Sequence, residues 1–317
     1  MFEISIQKAW EQRFKDFGLG RMALFICFFN AFLFFIGGFY FQKFNLYILL
    51  PVPVSFAFYA YRQKIIEKGH VFILIMNAIF MNVAIGYNYY MVGELDRMAG
   101  VLNRYDEFMW KFDLWLFKAP PALLIENVFQ VTKIYSTFFY DSIIVCYLLY
   151  YVLPYLGGIL YYLQLPKHLK YRVGRYCSNI VIYYSINYTL YFTIPVSGPQ
   201  YYIRELFTND LPFSWVGRWL YDFIKAGQLT YIDCFPSGHV GATFLVTFWL
   251  YKINHQQRFL VTLILIGVGF ATIALRYHYV LDVLVSVPLA IFSYYISGWF
   301  YPAPVDVISL RGGTHER

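Results

Sequence analysis

The chain has 317 residues, of which 60% are hydrophobic, 23% aromatic and only 14% charged. A soluble domain carries roughly 25% charged residues, so a water-soluble globular protein is excluded and an all-α, polytopic membrane helix bundle is predicted. The net charge of +7, set in so much apolar length, points to membrane orientation and not to nucleic acid.

The first twenty residues mix Glu3, Lys8, Glu11, Arg13, Lys15 and Asp16 with apolar positions. With no short apolar core before a small-residue cleavage site, they predict a surface-lying amphipathic helix and no cleavable signal peptide. Apolar runs of spanning length then predict about eight transmembrane helices. The first three are 22–41, 44–61 (kinked by Pro51 and Pro53) and 71–92. A polar interval, 93–135, follows. In it Val101 to Phe117 reads as an interfacial amphipathic helix, stopped by Pro120-Pro121. The fourth span is 137–163, a basic turn holds Lys167, Lys170, Arg172 and Arg175, and the fifth span is 176–194. The longest loop, 195–235, contains a short helix from Trp215 to Lys225. The last three spans are 238–252, 259–275 and 279–299.

Alternating these spans places most of the lysines and arginines on the side of the N-terminus, which marks that side, and both termini, as cytoplasmic. Cys234 lies near a loop, and Cys27, Cys146 and Cys177 fall in apolar segments. Their spacing suggests neither a metal site nor a disulfide. Asn77, Asn82 and Asn88 suit interhelical hydrogen bonds. The cluster Tyr183, Tyr184, Asn187, Tyr188 and Tyr191 reads first as packing and second as a headgroup pocket. Asp141 and Asp233 read as solvated boundary charges. Arg204, Arg218 and Lys225 in the long outer loop read first as solvated charges and second as one candidate phosphate-binding cation among them.

Two stretches carry chemistry, and both fall on the extracytoplasmic side of this topology. In Cys234-Phe235-Pro236-Ser237-Gly238-His239, Pro236 is a natural helix opener. Ser237 and Gly238 expose backbone N–H groups at a positive helix end, a ready phosphate site, and His239 adds a titratable donor. In Arg276-Tyr277-His278-Tyr279-Val280-Leu281-Asp282, His278 and Asp282 are four apart, one helical turn on one face. The Asp282 carboxylate can accept from one ring nitrogen of His278, fix its tautomer and leave the other nitrogen as nucleophile. Arg276 can neutralise phosphate oxygens. These are parts for phosphoryl transfer through a phosphohistidine, with no metal and no cofactor.

The same residues resemble the type 2 phosphatidic acid phosphatase superfamily. Pro236-Ser237-Gly238-His239 is similar to its second motif and His278-Tyr279-Val280-Leu281-Asp282 to the end of its third. The resemblance covers roughly 130–300. It implies a six-helix catalytic core in 126–300, preceded by membrane helices in 1–125 and followed by a tail, 301–317. It also implies His278 as nucleophile, Asp282 as its orienting partner, His239 as general acid, and Ser237 and Gly238 as holders of phosphoryl oxygens. Thr272 stands where the family's third motif ends its Ser-Arg pair, and Pro195-Val196-Ser197-Gly198-Pro199 stands in place of its first motif. This pattern is similar to the branch of inositol phosphorylceramide and sphingomyelin synthases. The expected activity is hydrolysis of a lipid-linked phosphate monoester. The alternatives are transfer of a phospho-headgroup between lipids, and a transporter or ligand-binding membrane protein without turnover.

Overall fold

The computed structural model describes residues 2–40, 44–99, 105–129, 132–207, 209–253 and 256–300, and among these the chain is helical without a β-strand. The predicted cytoplasmic tail, 301–317, lies outside the described residues. Helix α1 (Phe2–Tyr40) runs unbroken from the charged N-terminal stretch through the first apolar run. The predicted surface helix and first span are therefore one rod. The side chains before Gly20, on which the surface placement would rest, lie outside the described residues.

Helix α2 (Pro51–Glu67) begins at Pro51, so the prolines predicted to kink the second span instead open its helix, where a missing N–H costs nothing. Helix α3 (His70–Asn82) passes through a π-turn, Val83–Tyr87, into α4 (Asn88–Ala99). The π-turn shifts the hydrogen-bond ladder, and the Ile85 carbonyl accepts from the Tyr188 hydroxyl at 2.7 Å. Asn77 donates to Ile73 within its own helix, whereas Asn82 accepts from Tyr155 across helices. Of these asparagines, only Asn82 shows the expected interhelical bond.

Helices α5 (Asp106–Phe117) and α6 (Pro121–Phe129) fill the polar interval. Residues 101–104 of the predicted interfacial helix lie outside the described residues. Then come α7 (Lys133–Gln164), α8 (Val173–Thr193), the single turn α9 (Pro199–Tyr202), α10 (Trp215–Gly227), α11 (Gly238–Tyr251), α12 (Arg258–Ala274) and α13 (Val280–Phe300). Several begin on a side-chain cap. Thr132 accepts from Tyr135 N at the start of α7, and Ser214 accepts from Gly217 N at the start of α10. Such caps satisfy amide groups the helix cannot.

A helix thus stands at each of the eight predicted places. Four of these stretches, Gly20–Phe39, Val71–Arg97, Lys133–Gln164 and Val280–Trp299, are long and apolar enough to cross a membrane. The protein is an integral membrane protein. Helix α2, with 17 residues, is short and carries Arg62, Lys64 and Glu67. With 14 and 17 residues, α11 and α12 are shorter than the ~20 residues of a full crossing. Helix α8 has the length, but serine, asparagine and tyrosine dilute its hydropathy.

Those polar residues reflect the place of α8 in the bundle. It packs against α1, α3, α7, α11 and α13 and is buried nearly all round. Its polar groups are matched from neighbours: Asn179 donates to Ser293 Oγ at 2.8 Å and accepts from Trp249 Nε1 at 3.0 Å. Helices α7, α8, α11, α12 and α13 pack on one another and carry the site at one end.

Candidate active site

Three loops meet at that end, those entering α9, α11 and α13. Cys234 N donates to Val196 O at 3.1 Å, Gln200 N to Arg276 O at 2.9 Å, and Ser237 N to the Asp282 carbonyl at 3.1 Å. Gly198 lies between them at φ +91°, so close to the Tyr277 carbonyl that a Cβ would sit 2.4 Å from its oxygen. The carbonyl of Thr272 accepts from both Tyr277 N and His278 N, at 3.0 and 3.1 Å.

Helix α5 pins these loops with carboxylates. Asp106 accepts from Ser197 N at 3.0 Å and Gly198 N at 2.9 Å. Asp113 accepts from Val280 N at 3.1 Å, capping α13 from outside. The predicted amphipathic helix is therefore turned over. Asp106, Met109 and Asp113 are its buried face, while Phe108, Trp115 and Leu116 point outward. Buried carboxylates are tolerated because orphan amide groups meet them there.

The second histidine stretch folds as its spacing predicts. His278 and Asp282 are 3% and 0% exposed, with Nδ1 and Oδ2 3.4 Å apart. That is longer than an ideal N–H···O bond, and Oδ2 has two closer partners, Tyr279 N at 2.8 Å and Cys234 Sγ at 2.7 Å. Nδ1 faces the carboxylate, so Nε2 is the nitrogen turned away from it.

In the first stretch Ser237 is the N-cap of α11, its hydroxyl accepting from Val240 N at 3.4 Å. Pro236 precedes the cap, joined to Phe235 by a cis bond, and is not the helix opener its sequence position predicts. Asn187 donates to the Pro236 carbonyl at 2.7 Å and Tyr183 to the Ser237 carbonyl at 2.8 Å. With the Ser237 amide and hydroxyl both engaged, Gly238 is the member of the pair that lines the cavity described below.

His239 projects from the first turn of α11. Its ring lies 4.5 Å from that of Tyr147, 4.1 Å from that of Tyr150 and 5.7 Å from that of His278. Both of its nitrogens are buried without a hydrogen-bond partner. A buried orphan polar group calls for an explanation, and a ligand between the two imidazoles supplies one.

Both histidines open on a cavity of about 650 Å³. Its walls include Tyr89, Tyr147, Tyr150, Tyr184, Tyr188 and Tyr191, so much of the tyrosine cluster on α8 forms a pocket wall. Asp233 also lines it, accepting from the Tyr89 hydroxyl at 2.6 Å, and burial raises its carboxyl above the ordinary range. It is not the solvated boundary charge expected from its place in the loop. Asp141 likewise has a partner, accepting from Ser214 N at 3.0 Å at the start of α10.

Arg276 is placed differently from its predicted phosphate-facing role. At φ +67° its side chain turns to Glu126, 2.7 Å away, and its guanidinium stacks 4.2 Å from the Phe207 ring. It does not line the cavity. Cys234, His278 and Asp282 bring three potential metal-ligand atoms within 4.8 Å of one another, a grouping that spacing along the chain did not reveal. Burial and the Asp282 charge push the Cys234 thiol well above its ordinary range. Its sulfur donates to Asp282 Oδ2 at 2.7 Å.

Residues 180–305, which hold both histidine stretches, match the PAP2 superfamily. This part of the chain is similar to that family. A PA-phosphatase related-family protein of Dictyostelium discoideum is similar, 29% identical over 140 residues. That match takes in 43% of this chain and 25% of the relative, so the chain spans about a quarter of the length of the curated relative it matches. No solved structure matches the chain. The matched stretch begins within α8 and ends at residue 305, past α13, whereas α1 to α7, including the pinning helix α5, lie before it.

Proposed function

We propose that the protein is a membrane phosphoesterase that cleaves a lipid-linked phosphate monoester through a phosphohistidine on His278. The observation that carries this reading is the pair of imidazoles, 5.7 Å apart across one cavity, one backed by Asp282 and the other without a partner. The PAP2 match and the phosphatase-related relative support the same reaction class.

In the first step Nε2 of His278 attacks phosphorus, the bond to the lipid oxygen breaks, and His239 gives that oxygen its proton. Asp282 stabilises the imidazole as it takes on charge, and the first-turn amide groups at Gly238 face the phosphoryl oxygens. In the second step His239 takes a proton from water, the water oxygen attacks phosphorus, the N–P bond breaks, and inorganic phosphate leaves.

The lipid part of the reading rests on the helices around the cavity. On α10, Trp215 is 84% exposed and Trp219 63%, and α5 presents Phe108 and Trp115 outward. Such aromatic faces settle at the level of lipid headgroups and set the cavity mouth within reach of an amphiphile. The excess of basic residues on the opposite side of the eight-span topology supports a site on the extracytoplasmic or luminal face, with both termini cytoplasmic.

Headgroup transfer to a lipid hydroxyl is the second reading. The cavity volume favours it, since about 650 Å³ holds far more than one phosphate. Purified protein incubated with a lipid phosphate, with and without a lipid or inositol hydroxyl acceptor, separates the two. Free inorganic phosphate without acceptor signals hydrolysis, and a new lipid phosphodiester signals transfer. Absence of both across lipid phosphates, in protein that is inserted and folded, overturns the enzymatic reading in favour of a ligand-binding membrane protein.

A further inference from the structure

We infer that Lys225 and Gln200 form the anion subsite of this cavity, holding the non-bridging oxygens of a phosphate group. The inference rests on the phosphoesterase reading and supplies what Arg276, paired with Glu126, leaves open. Among the described residues, no lysine or arginine lines the cavity. Lys225 is the cation set at its wall. Its neighbours Phe223, Ile224, Ala226, Gly227 and Gln228 all line it, and its ammonium hydrogen-bonds the side-chain oxygen of Gln200, which lines it as well.

Helix α9 brings Gln200 to the wall, and the Gln200 amide donates to Arg276 O at 2.9 Å, beside the His278 loop. With the Gln200 oxygen accepting from Lys225, its amide nitrogen is the free donor. An ammonium and an amide N–H side by side present donors of the kind a phosphate accepts.

The ammonium sits among aromatic rings, 5.0 Å from the centre of Tyr201, 5.5 Å from Tyr221 and 5.6 Å from Tyr277. Tyr277 is also a wall residue, next to His278 in the chain. Burial lowers Lys225 to about 8, opposed by the Asp233 charge and assisted by Arg204. A cation this desolvated, with no carboxylate bonded to it, is held ready for an anionic ligand.

The test uses the full-length protein in detergent, with inorganic phosphate as probe and His278→Ala as the background, so that binding is read without chemistry. Isothermal titration calorimetry is expected to show phosphate binding to His278→Ala. Adding Lys225→Met should weaken it by roughly 10- to 100-fold, the value of a charge-assisted hydrogen bond. Gln200→Glu, which keeps the Lys225 contact and adds negative charge, should weaken it too, and Lys225→Arg should preserve it.

In otherwise native protein, Lys225→Arg should also move the alkaline fall of kcat/KM from near 8 to higher pH. Undiminished phosphate affinity in Lys225→Met, or no phosphate binding in a His278→Ala protein that is folded, overturns the subsite. Loss of binding in Lys225→Met with no turnover by the native protein on any lipid phosphate would retain the subsite and overturn the phosphoesterase reading instead.

Discussion

Gly198→Ala tests whether the loop before α9 positions the nucleophile. The native residue lies at φ +91°, and a Cβ there would be 2.4 Å from the Tyr277 carbonyl oxygen, where ordinary contact begins at 3.4 Å. The two loops must therefore part by about 1 Å. The backbone at φ +91° and ψ 164° lies in a region essentially reserved for glycine and adds roughly 1–3 kcal/mol of strain for a residue with a Cβ. Tyr277 is bonded to His278, so the displacement passes directly to the imidazole proposed to attack phosphorus. A misplacement of about 1 Å costs on the order of 100-fold in rate, and that is the expected fall in kcat. It is measured as phosphate release from a lipid phosphate in mixed micelles. Gly69→Ala is the control, since Gly69 has φ +95° with open space around it. It should lower the melting temperature and leave kcat alone. If Gly198→Ala lowered stability as Gly69→Ala does and kept a rate within a factor of a few of the native protein, the loop would not be coupled to His278.

Asp282→Asn should keep the fold and lose roughly three orders of magnitude in kcat, because the amide no longer fixes the tautomer or balances the imidazolium. An unchanged KM in steady-state kinetics would complete that signature. Burial, opposed by the Val280 amide and reinforced by the Asp282 charge, pushes Asp113 up to about 7. A carboxyl that folds protonated binds more protons folded than unfolded. Its contribution is therefore favourable below its ordinary value of 3.8 and lost as the pH rises to about 7. Thermal melts across that range should decline for the native protein and flatten in Asp113→Asn. Arg276→Ala and Glu126→Ala should each destabilise by about 3–5 kcal/mol, as breaking a buried pair does, with the double variant recovering part of the loss. Strict additivity in chemical-denaturation cycles would mean that the pair has no structural role.

The parts of the site that lie within one helical turn were legible in the sequence. His278 and Asp282 needed only a spacing of four, and His239 only its place at the start of an apolar helix. The helices at the eight apolar runs likewise required nothing beyond length and hydropathy, and four of them are long and apolar enough to cross a membrane. What escaped was contributed by tertiary convergence. Asp106 and Asp113 looked like the polar face of a surface helix, because nothing in their own segment shows that loops 91 and 167 residues away supply amide groups to them. Arg276 sits two residues before His278, yet its partner Glu126 is 150 residues distant. Lys225 and Asp233 lie in the longest loop, where a charge reads as solvated until α10 and Tyr89 are seen to enclose it. The prolines of α2 and Pro236 were recognised as structural punctuation, but their positions relative to the first helical residue depended on caps that only the folded chain reveals.

The most direct test of the central claim is to trap the intermediate. Native protein is mixed with a phosphate-labelled lipid substrate, quenched within one turnover under alkaline conditions, digested and sequenced by mass spectrometry. The account requires an acid-labile, base-stable phosphoryl group on His278, absent from His278→Ala. Turnover by His278→Ala, or a phosphoryl group on any other residue of the active protein, would contradict it.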